Sequence, residues 1–587
     1  MAVGHTTGAV PSVCGRWLRP GANPMMDRKT ILVVLGCLVA LIGWQALINR
    51  IYPPKPKAAK VATAGAVTNA APQTTVEGPA LKPVEQPKDA AVQPEEPRLP
   101  EQIVTLSNEF VRMEFTTWGG GVRTVELLKH KVNGSGDVVL NGTNFVPALT
   151  LMGITNAGPD SVFAVEQPAP NTVVMKRQTS AGWEITKTFT LNDGYLLAGA
   201  VEIARRARGA EPLPDTAGLV IGTVAPTTEK ELPTYLTASW LVGDKYQYHD
   251  LKQIAKNADK GISREEISAR WGDVKNQFFA MILTPETNAV AIECKQVDLA
   301  PPADWKAKEP PHGVFAALTL RPTTTSANAM ERYEFTWYAG PKAYERLAAL
   351  GKSQEEVMQF GFWGVISVAL LKSMKFFYGL IPSYGIAIIL VTILIKILFW
   401  PIQAKSIKSM KAMQKFQPLI NKLKEKYKDD PQRLNAETMK LYKEHKINPV
   451  SGCLPMVVQI PVLFAFYRML VSAIELRGQS FLWIHDLSAP DTIFQVLGLP
   501  INPLPLVMTG LSVWQMKITP QTGDQQQQKM MMFMPLMMMF IFYKLAAGVV
   551  LYYTVQQFLS IIQQWWSMRK GDGTTPATAV LSVGKAK

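Results

Sequence analysis

The sequence predicts a polytopic α-helical membrane protein with six transmembrane helices and a large antiparallel β-sandwich domain. The mean hydropathy of +0.05 over 587 residues averages a polar middle and a strongly apolar C-terminal third. The apolar third contains several runs of about 20 residues, the length that crosses a bilayer. The polar middle contains short runs of β-forming residues between turn signals, the pattern of antiparallel strands.

The net charge and the motifs together bear on whether the chain binds nucleic acid. The formal net charge is +15, which suits either nucleic acid or an anionic membrane surface. The chain shows no zinc-ligand spacing, RNA-binding signature or aromatic-basic interleaving, so we expect no DNA partner. The excess charge flanks apolar runs instead, as in cytoplasmic loops. Cys294 is the one cysteine of the polar middle, which therefore cannot close an internal disulfide.

The N-terminal region predicts a membrane anchor. Residues 1–29 are predicted to be a cytoplasmic N-terminus, and 1–25 look like an upstream extension. Residues 30–50 predict an uncleaved transmembrane signal anchor, because the apolar run is about long enough to cross a bilayer. The residues before Cys37 resemble a lipoprotein cleavage site, but apolar residues continue past the cysteine, which disfavours lipidation.

The polar middle divides into a tether and a folded domain. Residues 53–100 are rich in Pro, Ala, Lys and Glu and predict a disordered tether. Residues 101–340 predict the β-sandwich, and the run Trp183–Leu191 alternates with the period of two that marks a half-buried strand. Its three histidines show no carboxylate at a motif spacing. We therefore predict a scaffold or docking surface and no enzyme, metal or cofactor.

The apolar third predicts the remaining membrane helices. Residues 343–380 predict a helical linker followed by an amphipathic helix at 360–378, whose two lysines suit a membrane interface. Residues 567–587 predict a cytoplasmic tail. Five further transmembrane helices are predicted at 382–401, 453–475, 493–515, 531–545 and 548–566.

The positive charges predict the orientation. The segment 403–449 carries twelve Lys or Arg against five acidic residues, and basic residues also flank the later loop and follow the last span. If these loops are cytoplasmic, the span at 382–401 begins outside and the β-domain lies outside. Both termini are then cytoplasmic, and the helix at 360–378 lies along the outer interface.

The basic segment 403–449 predicts a helical hairpin. Asp430 and Pro431 supply an N-cap and a proline at the first position of the return helix. The apolar seam is short, which predicts a mobile arm. Two interpretations of its lysines stay open: a solvated face that follows the positive-inside rule, or a surface for anionic lipid, ribosomal RNA or acidic targeting factors.

Lys396 is the most informative residue of the apolar third. It lies inside an apolar run, with Thr392 one helical turn earlier on the same face. An ionisable group at membrane depth costs several kcal/mol and usually faces protein or trapped water, so it marks function. The pair is enough to hydrate a pocket. Alternatively, the lysine snorkels to headgroups, because only about 7 Å of helix rise separates it from Pro401.

Five motifs follow one another along the apolar third. They are VTILIKILFWP at 391–401, INPVSGCLP at 447–455, FLWIHDL at 481–487, QKMMMFMP at 528–535 and GVVLYY at 548–553. Together they resemble the YidC membrane protein insertase family. Their order and spacing, and the basic hairpin, agree with that family, strongly over about 340–570. The anchor and the large β-domain resemble its Gram-negative branch.

The resemblance implies a five-helix insertase core around a hydrated groove that is open to the cytoplasm and lipid. It also implies an inner-membrane location with a large periplasmic domain. Where the family usually carries arginine in the groove, this chain has Lys396, which keeps the charge but loses the planar guanidinium fork. Thr392 and Arg468 also align with groove residues. Arg468 replaces a common tyrosine, and either adds a second groove charge or snorkels outward.

Further polar and methionine residues are candidates for substrate binding. Gln459, Gln556 and Gln557 suit the groove lining, or else form interhelical hydrogen bonds worth about 0.6 kcal/mol each. Met534 and Met538 belong to a methionine-rich run. Flexible thioethers suit a surface that accepts many different client helices, although ordinary packing explains them equally well.

The resemblance predicts a membrane protein insertase and chaperone for nascent membrane proteins, acting alone or with the Sec translocon. Further expected partners are anionic lipids and, through the hairpin, the ribosome and the signal recognition particle or its receptor. No phosphate-binding Gly-rich loop is present, which disfavours ATP hydrolysis. The alternative is a secondary transporter of a small solute, which would show inverted repeats and several midplane charges. A passive scaffold would leave Lys396 unexplained.

Overall fold

The computed structural model describes most of the chain from residue 100 to residue 569, in two compact units that are treated separately. The β-rich unit contains described residues up to Phe360 together with Val471–Gly478, and the helical unit contains 361–470 and 479–569. The predicted anchor, the tether before residue 100 and the tail beyond 569 lie outside the described residues. The described ranges are 100–132, 136–142, 146–206, 215–229, 231–257, 261–301, 305, 310–322, 324–326, 330–428, 430–445, 447, 454–496, 499–519 and 525–569.

Nineteen strands of the β-rich unit are described, and all their pairings are antiparallel. They are β1 (Ile103–Ser107), β2 (Val111–Thr116), β3 (Gly121–Lys131), β4 (Asp137–Leu140), β5 (Leu151–Met152), β6 (Ala164–Ala169), β7 (Thr172–Gln178), β8 (Trp183–Leu191), β9 (Leu196–Arg205), β10 (Ala217–Val224), β11 (Thr237–Val242), β12 (Lys245–Asp250), β13 (Ile262–Arg264), β14 (Ala269–Lys275), β15 (Phe279–Pro285), β16 (Ala291–Asp298), β17 (His312–Leu320), β18 (Thr324–Ser326) and β19 (Met330–Pro341).

The strands form three sheets. A ten-stranded sheet has the order β12-β11-β14-β15-β19-β9-β8-β7-β6, with β18 paired to β19. A five-stranded sheet has the order β13-β16-β17-β10-β5, and a third contains β1 to β4. Trp337 of β19 is fully buried, and its indole N–H donates to the carbonyl of Ile221 in β10 at 3.0 Å. The two larger sheets therefore pack face to face around an apolar core.

Local sequence explains the individual strands. Along β8 (Trp183–Leu191) every second residue is buried, as the period of two predicts. Strand β15 (Phe279–Pro285) is buried at every position, because it lies inside the ten-stranded sheet and under other elements. The sequence shows no carboxylate at a motif spacing from the histidines, and in the structure His312 Nδ1 lies 2.8 Å from Asp298 Oδ1 across β16 and β17. Strand pairing, not motif spacing, brings them together.

The first half of the predicted linker belongs to the β-rich unit. Helix α2 (Tyr344–Leu350) and a 3-10 helix at Gln354–Met358 follow β19, while α1 (Leu251–Ala255) lies earlier in the chain. The indole of Trp271 donates to the carbonyl of Lys352 at 2.9 Å, and the Gln354 amide donates to Thr284 Oγ1 at 2.8 Å. The first part of 343–380, which the sequence predicts as a linker ahead of the amphipathic helix, thus has its hydrogen-bond partners in β14 and β15.

The helical unit contains eight described α-helices and one β-hairpin. The helices are α3 (Gly364–Leu380), α4 (Tyr384–Lys415), α5 (Gln417–Lys426), α6 (Pro431–Glu444), α7 (Leu454–Ser472), α8 (Pro503–Ile518), α9 (Gln525–Phe542) and α10 (Ala547–Arg569), and the hairpin strands are β20 (Phe494–Val496) and β21 (Leu499–Ile501). Among the described residues, α4 is the one helix long and apolar enough to cross a membrane.

The basic segment folds as two short helices. The Asp430 carboxylate accepts a hydrogen bond from the Arg433 backbone N–H at 3.0 Å, so it caps α6, and Pro431 is the first helical residue. The apolar seam between α5 and α6 includes Ile420 and Tyr442, which are both buried.

One predicted transmembrane segment is wrong at its beginning. The expected helix at 493–515 starts with the β-hairpin of Phe494–Val496 and Leu499–Ile501, and α8 begins only at Pro503. Pro500 lacks the N–H that a helix needs, and Pro503 suits the first position of a new helix. Hydropathy alone does not separate a short apolar strand from part of a helix.

Candidate functional site

Lys396 lies on α4 with its charged end directed at α10. Its side chain is 3% exposed, and its Nζ donates to Ser560 Oγ at 2.8 Å. No ion pair joins this ammonium to a carboxylate within the described residues. This geometry differs from that of a lysine that snorkels to headgroups, because the side chain is enclosed by protein.

Thr392 occupies the same helix face one turn earlier. It is fully buried, and its hydroxyl donates to the Ile388 carbonyl of its own helix at 2.7 Å. This is the usual bond of a threonine inside an apolar helix, and it satisfies the hydroxyl proton. The oxygen keeps a lone pair, so Thr392 can accept a hydrogen bond but has no donor left for a substrate.

The three glutamines bring neighbouring helices together. Gln459 of α7 donates to the Tyr552 hydroxyl at 2.8 Å and accepts from Gln556 at 3.4 Å. Gln557 donates to Ser512 Oγ of α8 at 3.3 Å. These are interhelical hydrogen bonds, the second of the two roles that the sequence analysis gives for these glutamines. Within the described structure, the buried Oε1 of Gln556 has no hydrogen-bond partner, which is a place for a water molecule.

A polar stripe on α10 joins Gln556 to two residues that the sequence analysis did not single out, Ser560 and Gln563. Gln556, Ser560 and Gln563 are separated by four and three positions, so they share one helix face. Ser560 Oγ donates to the Gln556 carbonyl at 2.8 Å and accepts from Lys396. Gln563 is buried and donates to the Trp400 carbonyl at 3.4 Å. The signal in the sequence that could have identified Ser560 and Gln563 is the spacing of polar residues at i, i+4 and i+7 within an apolar helix.

Arg468 and the two methionines lie outside this polar cluster. Arg468 of α7 is exposed, whereas Lys396 is enclosed, so the structure does not bring the two cations into one buried site. Met534 of α9 is exposed and Met538 is partly buried. The methionines therefore belong to a separate, outward apolar face of the helical unit.

The β-rich unit buries ionisable groups of its own. Lys187 is fully buried, and its Nζ donates to the carbonyls of Gly119 at 2.8 Å and Gly120 at 2.9 Å. Burial lowers the pKa of Lys187 from 10.5 to about 7. Burial raises the pKa of Asp273 from 3.8 to about 6, although the ammonium of Lys275 opposes the shift. Among the described residues, no cluster of His, Cys, Asp or Glu is placed to hold a metal.

Comparison with known proteins gives matches along most of the chain. A family model described as 60Kd inner membrane protein matches residues 376–574, and one described as YidC periplasmic domain matches residues 103–372. The membrane protein insertase YidC of Syntrophus aciditrophicus is 32% identical over 535 residues, covering 85% of this chain and 91% of that protein.

Other relatives extend the similarity. The membrane protein insertase YidC of Pelobacter propionicus is 31% identical, covering 85% of this chain and 91% of that protein. The one of Nitratidesulfovibrio vulgaris strain DP4 is 28% identical, covering 93% of this chain and 100% of that protein. Both family models and these full-length relatives agree with the β-rich unit and the helical unit. This chain belongs to the YidC membrane protein insertase family.

Proposed function

We propose that this chain inserts nascent membrane proteins into the inner membrane, with the β-rich unit in the periplasm and both termini in the cytoplasm. The observation that carries the mechanism is Lys396, a cation that is enclosed in an apolar helix and bonded to the uncharged hydroxyl of Ser560. Burying such a charge without an ion pair is unfavourable, so its retention calls for a function.

In this mechanism, the polar tail of a client enters a hydrated groove lined by α4, α7 and α10. Lys396 supplies a positive charge, and the amides of Gln459 and Gln556 supply neutral donors and acceptors. The orphan Oε1 of Gln556 supports a hydrated site, because a water molecule would satisfy it. The tail then exchanges bulk water for protein dipoles and bound water rather than for hydrocarbon, which lowers the cost of desolvating its backbone and acids.

Charge favours acidic tails in particular. Lys396 lacks a carboxylate partner within the described residues, so an incoming Asp or Glu can pair with it. A membrane potential that is positive outside would assist transfer by about 2.3 kcal/mol per negative charge per 100 mV. No ATP is required in this scheme. Arg468 is exposed. We therefore assign it to the entrance of the groove or to the headgroup region, and not to the buried cluster.

The apolar segment of the client packs on the outside of α7 and α9. Val457, Ile460 and Phe464 are exposed at helical spacing on α7. Met534 and Met537 are exposed on α9, next to the partly buried Met538. Unbranched thioethers adapt to client helices of different shape, so this face suits a transient partner that leaves into lipid.

The helices α5 and α6 form a cytoplasmic capture arm in this proposal. Their lysines are mostly exposed, and their buried seam is small. Exposed positive charge suits anionic lipid, ribosomal RNA, or the signal recognition particle and its receptor. Cooperation with the Sec translocon is part of the same proposal, for clients with large translocated domains.

Reconstitution tests the proposal. Purified protein in liposomes is supplied with a labelled single-span client, without ATP or other proteins, and insertion is read from protease protection. Protection of the client's translocated tail is the expected result. Flux of a small solute without client insertion would instead identify a transporter. The absence of both activities would contradict an autonomous insertase.

A further inference from the structure

The hairpin β20–β21 presents an apolar surface that the described residues of the helical unit leave exposed. All three residues of β20 are exposed, and the side chains of Phe494 and Leu499 are 55% and 69% exposed. Val496 pairs with Leu499 across the hairpin, and both are exposed. Large apolar side chains grouped in this way usually mark an interaction surface.

Hydrogen bonds fix the base of this hairpin. Thr492 Oγ1 donates to Asn502 Oδ1 at 2.7 Å, and the Ile493 N–H donates to the Ile501 carbonyl at 3.1 Å. The Asn502 amide also donates to the Tyr543 carbonyl, just beyond α9, at 2.7 Å. The hairpin is therefore tied to the end of a neighbouring helix, and the base of its two strands has a defined position in the helical unit.

A second set of bonds ties the same base to α8. One carboxylate oxygen of Asp491 accepts from the Leu504 backbone N–H at 2.7 Å and from the Trp483 indole at 3.3 Å. The Tyr543 hydroxyl donates to the Pro500 carbonyl of β21. Trp483 keeps an exposed face beside this bond. An indole with one polar contact and one open apolar face is typical of a membrane interface.

The composition identifies the occupant of this surface. Between Asp491 and Lys517 the chain contains no Asp, Glu, Lys or Arg. The exposed apolar side chains of the hairpin are followed along the chain by exposed apolar residues on α8, including Leu506 and Val507. A water-facing loop would be expected to carry charge. A continuous uncharged apolar surface of this kind fits lipid instead.

We propose that the β20–β21 hairpin is an interfacial anchor that inserts into the boundary between phospholipid headgroups and acyl chains. Phe494, Val496 and Leu499 enter the lipid, while the hydrogen-bonded base stays at headgroup depth. In the orientation of the proposed function this is the outer leaflet. Insertion into lipid itself does not depend on that function, since it requires only a membrane-embedded helical unit.

Fluorescence quenching in proteoliposomes tests this anchor. Cys14, Cys37 and Cys453 are replaced by Ser, the buried Cys294 is kept, and an environment-sensitive dye is attached at Phe494→Cys or Leu499→Cys. Phe558→Cys, at the middle of the span predicted at 548–566, is the deep control, and Tyr248→Cys on β12 is the water-facing control, since both native side chains are exposed. Spin-labelled phospholipids carry the quencher near the headgroup or deep in the acyl chain, and iodide reports water. Client insertion is measured for each variant, which identifies any misfolded protein.

We expect the dyes at 494 and 499 to be quenched by the shallow spin label about twofold more than the dye at 248, and to be shielded from iodide by a similar factor. The deep label should quench the dye at 558 more than the hairpin dyes. Iodide access equal to that at 248 would refute the anchor. Shielding that appears only with a client would make the hairpin a client surface, and shielding with energy transfer between labelled copies would make it a dimer contact. Either outcome overturns lipid insertion.

Discussion

At the scale of single residues, the helical unit places one charge where hydrophobic chemistry alone would exclude it. Lys396 is enclosed, and the hydroxyl of Ser560 is the partner of its ammonium. The serine orients the charge but does not neutralise it. The consequence is a cation that keeps its attraction for an acidic group, in surroundings where that attraction is weakly screened.

The first prediction concerns this cation. Lys396→Ala should slow the insertion of clients with acidic translocated tails by about tenfold, because the favourable charge interaction is lost. Lys396→Arg should retain most of the activity, since it keeps the positive charge. Ile397→Ala, one position along and exposed, is the matched control and should behave as the unmodified protein. The measurement is the rate of tail protection in liposomes. If Lys396→Ala inserts clients with acidic and with neutral tails as fast as the unmodified protein does, the charge has only a structural role.

The second prediction concerns Asp273, a fully buried carboxyl of β14. Its pKa is raised from 3.8 to about 6 by burial, so the folded protein binds more protons than the unfolded chain between these values. The free energy of unfolding therefore decreases as pH rises through this window. Asp273→Asn should remove that decrease and stabilise the β-rich unit at pH 7, by on the order of 2 kcal/mol.

Thermal melts of the full chain in detergent at acidic and neutral pH measure this effect. Asp273→Asn should melt several degrees higher than the unmodified protein at neutral pH, and the difference should shrink toward pH 4. Asp244→Asn is the control, because Asp244 is a surface carboxylate paired with Arg270 at 3.3 Å. A melting temperature that drops at neutral pH for Asp273→Asn would mean that the neighbouring lysines need the carboxylate.

At the scale of elements, the helical unit combines stable and weakly attached pieces. Helices α4 and α10 are joined through Lys396 and Ser560, whereas α5 and α6 bury little beyond Ile420 and Tyr442. Elements with few buried apolar contacts open at low free-energy cost and suit a capture role. The arm is therefore the element whose removal should separate activity from stability.

The third prediction follows from this difference. Deleting 419–443 should reduce client capture severalfold while leaving the melting temperature of the helical unit nearly unchanged, because the arm contributes few buried contacts. Co-sedimentation of arrested clients with proteoliposomes measures capture. Replacing Lys422, Lys426 and Lys440 by Gln keeps the arm but removes exposed charge. If this variant captures clients normally while the deletion does not, the arm acts through its apolar seam rather than through its charges.

At the scale of the whole molecule, the two units differ in chemistry. The β-rich unit has an apolar core between two large sheets. It also contains helix α2 (Tyr344–Leu350) of the predicted linker, and the Trp271 indole donates to the Lys352 carbonyl just after that helix. The helical unit contains the buried lysine, the polar stripe and the exposed apolar helix faces. The features that our mechanism uses thus lie in the helical unit.

The fourth prediction follows from this separation. Deleting 101–358 while keeping the anchor and α3 (Gly364–Leu380) should leave substantial insertion activity. The deletion removes the linker together with its hydrogen-bond partners in β14 and β15. Lys396→Ala in the shortened protein should lower the remaining rate on acidic tails, as in the full chain. A well-folded deletion variant without insertion activity, and with client crosslinks on the β-rich unit of the full chain, would contradict this assignment.

Sequence patterns determined those properties that depend on neighbours along the chain. The period-two burial of β8, the Asp430 cap before Pro431 and the placement of Lys396 inside an apolar run all follow from local spacing. Membership in a family of membrane insertases was also evident in the sequence, since five ordered motifs resemble that family, and relatives about 30% identical along most of the chain agree.

Tertiary structure alone decided which groups meet. Ser560 became the partner of Lys396 because α4 and α10 pack together, and no spacing along one helix could identify it. The apolar residues at 494–501 became an exposed hairpin rather than the start of a helix, because Pro500 and Pro503 interrupt the helical hydrogen bonds and the ends of α8 and α9 hold its base. Periodicity reports which face of an element is apolar, but the partner of that face is chosen by packing between elements distant in sequence.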